Sequence, residues 1–130
     1  MTQKEKPIAF QGEMGANSHI ACNDIFPDRD VLPCTTFEGA FKAVENGSAA
    51  LAVLPVENTV AGRVADIHRL LPGYKLYIIG EYFMRIRHCL LGLSGASVDG
   101  LTHVRSHEMA LGQCRYITVS YTHLRAHETF

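Results

Sequence analysis

Leu51-Ala52-Val53-Leu54-Pro55-Val56-Glu57-Asn58-Thr59-Val60-Ala61-Gly62 runs from an unbroken apolar stretch straight into a carboxylate, an amide and a hydroxyl. A continuous run of this kind is what a strand of a parallel sheet shows, because helices cover both of its faces. Polar residues at the exit of such a strand fall where open α/β sheets bind ligands, beyond the carboxyl ends of the strands. The stretch therefore predicts a mostly parallel α/β sheet and a functional loop at Glu57-Asn58-Thr59.

The flanking sequence fits that reading. Pro7 to Phe10 reads as a short strand, and the turn Gly12 to Gly15 after it leads to Asn17 and Ser18, which suit a helix cap. Cys22 and Phe26 share one face of the helix that follows. Val31 to Cys34 is a second strand, whose Pro33 predicts an edge or a strand end. Thr36 then caps a helix with Phe37, Ala40, Phe41 and Val44 on one stripe, and Asn46-Gly47 ends it. After Gly62 a helix is predicted over Arg63 to Leu71, with Glu57-Asn58-Thr59 before it and Pro72-Gly73 as its stop. Leu76 to Phe83 and His88 to Leu93 read as further strands, Leu101 to Val104 as the last. Ser106 is expected to cap a final helix carrying Ala110, Cys114 and Ile117. Strands alternating with helices give the α/β class.

Composition removes several functions. The 12 Lys and Arg nearly cancel the 13 Asp and Glu, so nothing points to nucleic acid or an anionic membrane surface as a partner. No apolar run approaches the ~20 residues that span a bilayer. The polar start, Met1 to Pro7, does not read as a signal peptide, and a cytoplasmic location is expected. Cys22, Cys34, Cys89 and Cys114 are widely spaced and read as buried reduced thiols. His123 and His127 have helical chelating spacing but lack a third ligand, so no metal is expected.

Three strand exits carry cap-rich polar sequence: Gly12 to Ser18, Glu57 to Thr59, and Ser106-His107. The first could present backbone amides to an anion, or be an ordinary turn. It lacks both the dinucleotide fingerprint and the lysine of a P-loop. Glu57-Asn58-Thr59 exceeds what a cap needs, since one such residue suffices. His107 at a helix start either donates to a substrate oxygen or is a surface residue beside a cap, and Gln113, two turns on, either faces the same cleft or is solvated.

Taken together, Ile8 to Ser18, Pro55-Val56-Glu57-Asn58-Thr59 and Ser106-His107-Glu108-Met109-Ala110-Leu111-Gly112-Gln113-Cys114 resemble, in order, three motifs of the prephenate dehydratase catalytic domain. The resemblance covers roughly residues 7 to 116. It implies a two-lobed fold like type II periplasmic binding proteins, with the first lobe at about 7–82 and only the start of the second at about 83–116. It implies conversion of prephenate to phenylpyruvate in phenylalanine biosynthesis, with prephenate as the small-molecule partner, no cofactor, and a homo-oligomer in the full-length family. Asn58, Thr59 and His107 are carried over as catalytic residues, and Glu57, Ser106, Gln113 and Ser18 as substrate-binding ones. Glu57 is expected to orient its neighbours, because a bare carboxylate would repel a dianion. The family's Thr-Arg-Phe motif and its regulatory domain have no match here, and the stretch from about residue 117 to 130 departs from the family pattern. A fragment inactive by itself and poorly soluble is therefore expected. The competing reading is a solute-binding module for small anions, which shares the architecture but carries out no catalysis.

Overall fold

The computed structural model describes residues 5–120 and 125–128. They fall into two compact units, the first comprising residues 5–58 and Gly62–Arg85, the second Thr59–Ala61 and the described residues from Ile86 onward.

The first unit is built on β1 (Ile8–Gln11), flanked by β2 (Val31–Cys34) and β3 (Leu51–Val53) in the order β2-β1-β3. Both pairings are parallel, with Ile8 opposite Val31 on one side and Leu51 on the other. Pro33 thus sits in an edge strand of this sheet, where its missing N–H leaves no ladder bond unmade. Alternation of side chains along β1 gives the unit its two cores. Ile8 and Phe10 face α1 (Asn17–Ile25) and enclose Cys22, with Phe26, Val31, Leu51 and Val53 around them. Ala9 faces α2 (Phe37–Glu45) and packs with Ala40, Ala43 and Ala49. Small side chains on that second face let the helix lie close to the sheet.

The caps are mixed. Thr36 accepts a hydrogen bond from the Gly39 amide at 3.0 Å, and Gly47, at φ +77°, follows the C-cap of α2 as expected. At α1 the cap is Ala16, which makes no side-chain bond, and Asn17 opens the helix itself. The orphan amide of Gly15 is instead taken by His19 Nδ1 at 2.9 Å. Gly12 and Gly15 both have positive φ, so the turn depends on their lacking a Cβ.

Glu57-Asn58-Thr59 does not cap the next helix. Glu57–Asn58 forms β4, which pairs antiparallel with β5 (Gly62–Arg63), and residues 59–61 make a three-residue tip. Gly62 closes that tip at φ +81°, the glycine position of a three-residue hairpin loop. The hairpin delays the helix, so α3 is Ala65–Leu70, shorter than expected, and Leu71–Gly73 tightens into a 3-10 turn over Pro72. Ile67 is the residue of α3 that enters the core.

Leu76 to Phe83 and His88 to Leu93 form no strand. Tyr77, Leu91 and Leu93 are 89%, 88% and 89% exposed. An apolar run becomes a strand only where a neighbour supplies ladder partners, and no described residue does so here. Within the first unit, Tyr82 anchors its segment by donating to Asp24 Oδ2 at 2.9 Å.

The second unit holds β6 (His103–Ser106), α4 (Glu108–Gln113), α5 (Arg115–Ser120) and β7 (Arg125–Glu128). β6 and β7 pair in parallel, His103 opposite Arg125. The single final helix expected from the sequence is broken at Cys114, which caps α4. Among the described residues no helix is long and apolar enough to cross a membrane.

Candidate functional site

The predicted site residues divide between the units. Ser18, Glu57 and Asn58 belong to the first, and Thr59, Ser106, His107 and Gln113 to the second. Ser18 lies half-buried in the first turn of α1. Glu57 stands opposite Arg63 in the β4–β5 hairpin, and half-buried Asn58 stands opposite Gly62. Residues of opposite charge in cross-strand register are favourable neighbours.

In the second unit an open hollow of about 520 Å³ gathers residues distant in sequence. Thr59, at the hairpin tip, shares it with Glu108, Met109, Gly112 and Gln113 of α4 and Arg115 of α5. Ser106 and His107 are not among its lining residues. A Cβ added at Gly112 would meet no atom within 4 Å, so this glycine forms an open floor.

Two details of α4 were not legible from spacing. His107, not Ser106, is the N-cap: its Nδ1 accepts from the Met109 amide at 3.2 Å. Ser106 is still the last residue of β6. Because Nδ1 is an acceptor, the neutral ring carries its proton on Nε2, which makes that nitrogen the donor. Gln113 is oriented by His88, whose Nε2 donates to Gln113 Oε1 at 2.8 Å. His88 was missed because it lies 25 residues away, inside a run read for its apolar neighbours.

Cysteine and histidine chemistry is sparse. Cys22 is buried, Cys34 and Cys114 are half-buried, and Cys89 is exposed, which corrects the expectation of four buried thiols. Burial pushes the Cys22 thiol up to about 11 and Cys34 upward as well. Among the described residues no three His, Cys, Asp or Glu side chains gather to hold a metal. His123 lies outside the described residues, and only the backbone of His127 is described.

The prephenate dehydratase family model matches residues 8–129. The chain belongs to the prephenate dehydratase family. The match runs through the segment from residue 117 that the sequence pattern set apart. A bifunctional N-acyl-homoserine lactone acylase/prephenate dehydratase of Komagataeibacter europaeus is 47% identical over 113 residues, covering 87% of this chain and 40% of that protein. Arogenate dehydratase 2 of Petunia hybrida is 41% identical over 107 residues, covering 82% of this chain and 27% of the relative. Among solved structures, GqqA, described as a novel type of quorum quenching acylase, superimposes with a TM-score of 0.74 at 43% identity. That superposition covers 96% of this chain and 45% of the other. The chain thus spans less than half the length of these relatives. The parallel α/β sheet of the first unit is consistent with this family.

Proposed function

We propose that the chain is the amino-terminal part of a prephenate dehydratase and contributes part of the site that converts prephenate to phenylpyruvate. The observation that carries the reading is the shared hollow. Thr59 of the Pro-x-Glu-Asn-Thr motif and Gln113 of the Ser-His motif line it together, although they lie far apart in sequence. Two motifs of one family meeting at one concavity is what a substrate site requires.

The reaction needs few groups. The bond from the ring to its carboxylate breaks and releases carbon dioxide, and its electron pair enters the ring. The hydroxyl leaves from the opposite ring carbon and takes a proton, so water departs and the ring becomes aromatic. The protein's work is to hold the substrate and to donate to the leaving oxygen. In this reading Thr59 and the Nε2–H of His107 supply the donor, Asn58 and Ser106 bind substrate oxygens, and Gln113, fixed by His88, does the same. Glu57 orients the hairpin against Arg63. Ser18 contributes from the start of α1. No metal or redox group is required by this bond inventory.

The rest of the reading follows the family. The two units correspond to the beginnings of the two lobes of a type II binding-protein-like architecture, and the complete enzyme acts in the cytoplasm as a homo-oligomer. The test is Asn58→Ala in the longest available open reading frame. Turnover of prephenate is expected to fall by roughly a hundredfold, the usual effect of deleting one well-placed hydrogen-bonding group, with an unchanged melting temperature. Near-normal turnover would remove Asn58 from the site. Failure of the unsubstituted protein to convert prephenate would remove the function.

A further inference from the structure

The turn that opens α1 is held by a side chain from inside the helix. A helix ordinarily starts on a serine, threonine, asparagine or aspartate whose oxygen accepts from an amide of the first turn. Here the N-cap is Ala16, which has no oxygen to offer. The turn is closed from behind instead. Gly12 N donates to Cys34 O at 2.9 Å, Ala16 N to Glu13 O at 3.1 Å, and Gly15 N to His19 Nδ1 at 2.9 Å. Gly15 sits at φ +92°, so this last bond also keeps a backbone conformation that glycine otherwise leaves freely. The half-buried His19 ring is itself fixed on two sides. It stacks on Phe10, with ring centroids 5.5 Å apart, and Phe10 is fully buried in β1. Its Nε2 lies 3.2 Å from the side-chain amide of Asn23, one turn further along α1.

That geometry fixes the state of the ring. A backbone N–H donates and cannot accept, so Nδ1 carries the lone pair and the neutral ring keeps its proton on Nε2. Nε2–H then donates to Asn23, whose amide turns its oxygen to the ring. A protonated ring has donors at both nitrogens, and its Nδ1–H would meet the Gly15 N–H head-on. We infer that His19 is a positioning residue for the substrate-binding turn: its neutral ring, set by Asn23 and backed by Phe10, holds Gly15 and through it Ser18 at the head of α1, and protonation of the ring releases them. This role presupposes the dehydratase reading, in which Ser18 binds substrate, and adds what keeps Ser18 in place and in which protonation state. Holding the turn from behind also leaves the first amides of α1 free of the capping oxygen that a serine or aspartate at position 16 would bring. The groups facing the ring are Phe10 of β1, Gly15 of the turn and Asn23 of α1, none of which titrates. The nearest carboxylates in sequence are Glu13 and Asp24. Among the described residues neither pairs with the ring, and Asp24 accepts from the Tyr82 hydroxyl instead.

Two substitutions separate the acceptor from the ring. His19→Asn and His19→Ala both lose the stack on Phe10. Asparagine puts Oδ1 where Nδ1 stood, accepts from Gly15 and does not titrate, whereas alanine accepts nothing. Hydrogen exchange of the Gly15 amide is read by NMR on the purified chain near neutral pH. Exchange in His19→Asn should stay within about twofold of the unsubstituted rate, and in His19→Ala it should be about fivefold to tenfold faster, the weight of one ordinary hydrogen bond. Turnover of prephenate is measured in the longest available open reading frame. There His19→Ala should raise KM about tenfold and lower kcat less, because Ser18 binds rather than reacts, and His19→Asn should bring KM back to within about threefold. Between about pH 5 and 8 the unsubstituted enzyme should lose kcat/KM on the acid side more steeply than His19→Asn, since only the histidine takes up a proton. The contributions of His107 and of the substrate are common to both and cancel in that comparison. Unchanged Gly15 exchange in His19→Ala would overturn the inference. So would equal losses of turnover in the two variants, which is what a ring needed only for packing produces, and so would parallel pH profiles. Each of these outcomes leaves the dehydratase reading standing. Should His19→Ala fail to fold, the exchange and pH profile of His19→Asn decide alone. Failure of the unsubstituted protein to convert prephenate removes the dehydratase reading, and the positioning role with it, even where Gly15 exchange behaves as expected.

Discussion

Cys22 and Phe10 sit in the tightest part of the structure, and both make measurable claims. Neither exposes any surface. Truncating Phe10 to Ala would leave a hole in a core that cannot collapse around the central strand, and unfolding free energy should fall by about 3–5 kcal/mol. The Cys22 thiol ionises near 11 in the folded chain against 9.0 for a free thiol, because burial disfavours the thiolate. Its contribution to stability is therefore complete below pH 9 and disappears as pH rises through 11, since the unfolded chain releases its proton first. Tyr82, raised by its hydrogen bond to Asp24, and Tyr74, raised by desolvation, add to the slope in the same direction. Melting temperature measured from pH 8 to 11 should fall, and Cys22→Ala should fall less steeply. Thiol labelling at pH 8 gives an independent reading: Cys89 should react at once and Cys22 only after denaturation.

The caps and turns divide cleanly between what local sequence determines and what it leaves open. Thr36 was readable because a threonine before an amphipathic run has one obvious use, and Thr36→Ala should cost about 1 kcal/mol in denaturant unfolding. Gly62→Ala should cost a similar ~1 kcal/mol, through backbone strain alone, because the space around a Cβ there is empty. The hairpin at Glu57–Arg63 was not readable as such. Its polar residues compete equally well for a cap, and the choice between cap and hairpin depends on Gly62 adopting positive φ. Ser106 lost the cap of α4 to His107 for a related reason: strand pairing to β7 keeps Ser106 extended, so the next residue meets the free amide. The site motifs were legible as motifs, but their meeting was not. That Thr59 and Gln113 share a concavity, and that His88 fixes Gln113, depends on folding across long stretches of chain.

Apolar periodicity states how much a segment gains from burial, not what buries it. That is why β1, β2, β3 and α2 are legible, each with its partners close by in sequence, while Leu76 to Phe83 and His88 to Leu93 read as strands and form none, with most of their side chains exposed. Tyr77, Ile78, Ile79 and Phe83 of the first unit, and Leu90, Leu91 and Leu93 of the second, are all exposed, so each unit presents apolar surface to water. Such a surface drives association in water. Light scattering of the purified chain should show concentration-dependent self-association. The double substitution Ile79→Lys, Leu91→Lys should suppress it without lowering the melting temperature, since neither side chain is packed. A large fall in melting temperature would mean that these residues are buried in the folded chain after all.

The strand on which the first unit depends is made before both of its neighbours. Ile8–Gln11 leaves the ribosome well before either neighbour, and Leu51–Val53 follows only after about forty further residues. At ordinary synthesis rates of roughly 5–20 residues per second, that is an interval of a few seconds. Until Val31–Cys34 has followed, Ile8-Ala9-Phe10 has no ladder partner, and it has only one until Leu51–Val53 is made. Codon choice between residues 12 and 50 therefore sets how long this strand remains open to chaperones and to other nascent chains, and yield should depend on translation speed through that stretch more than through any other part of the first unit.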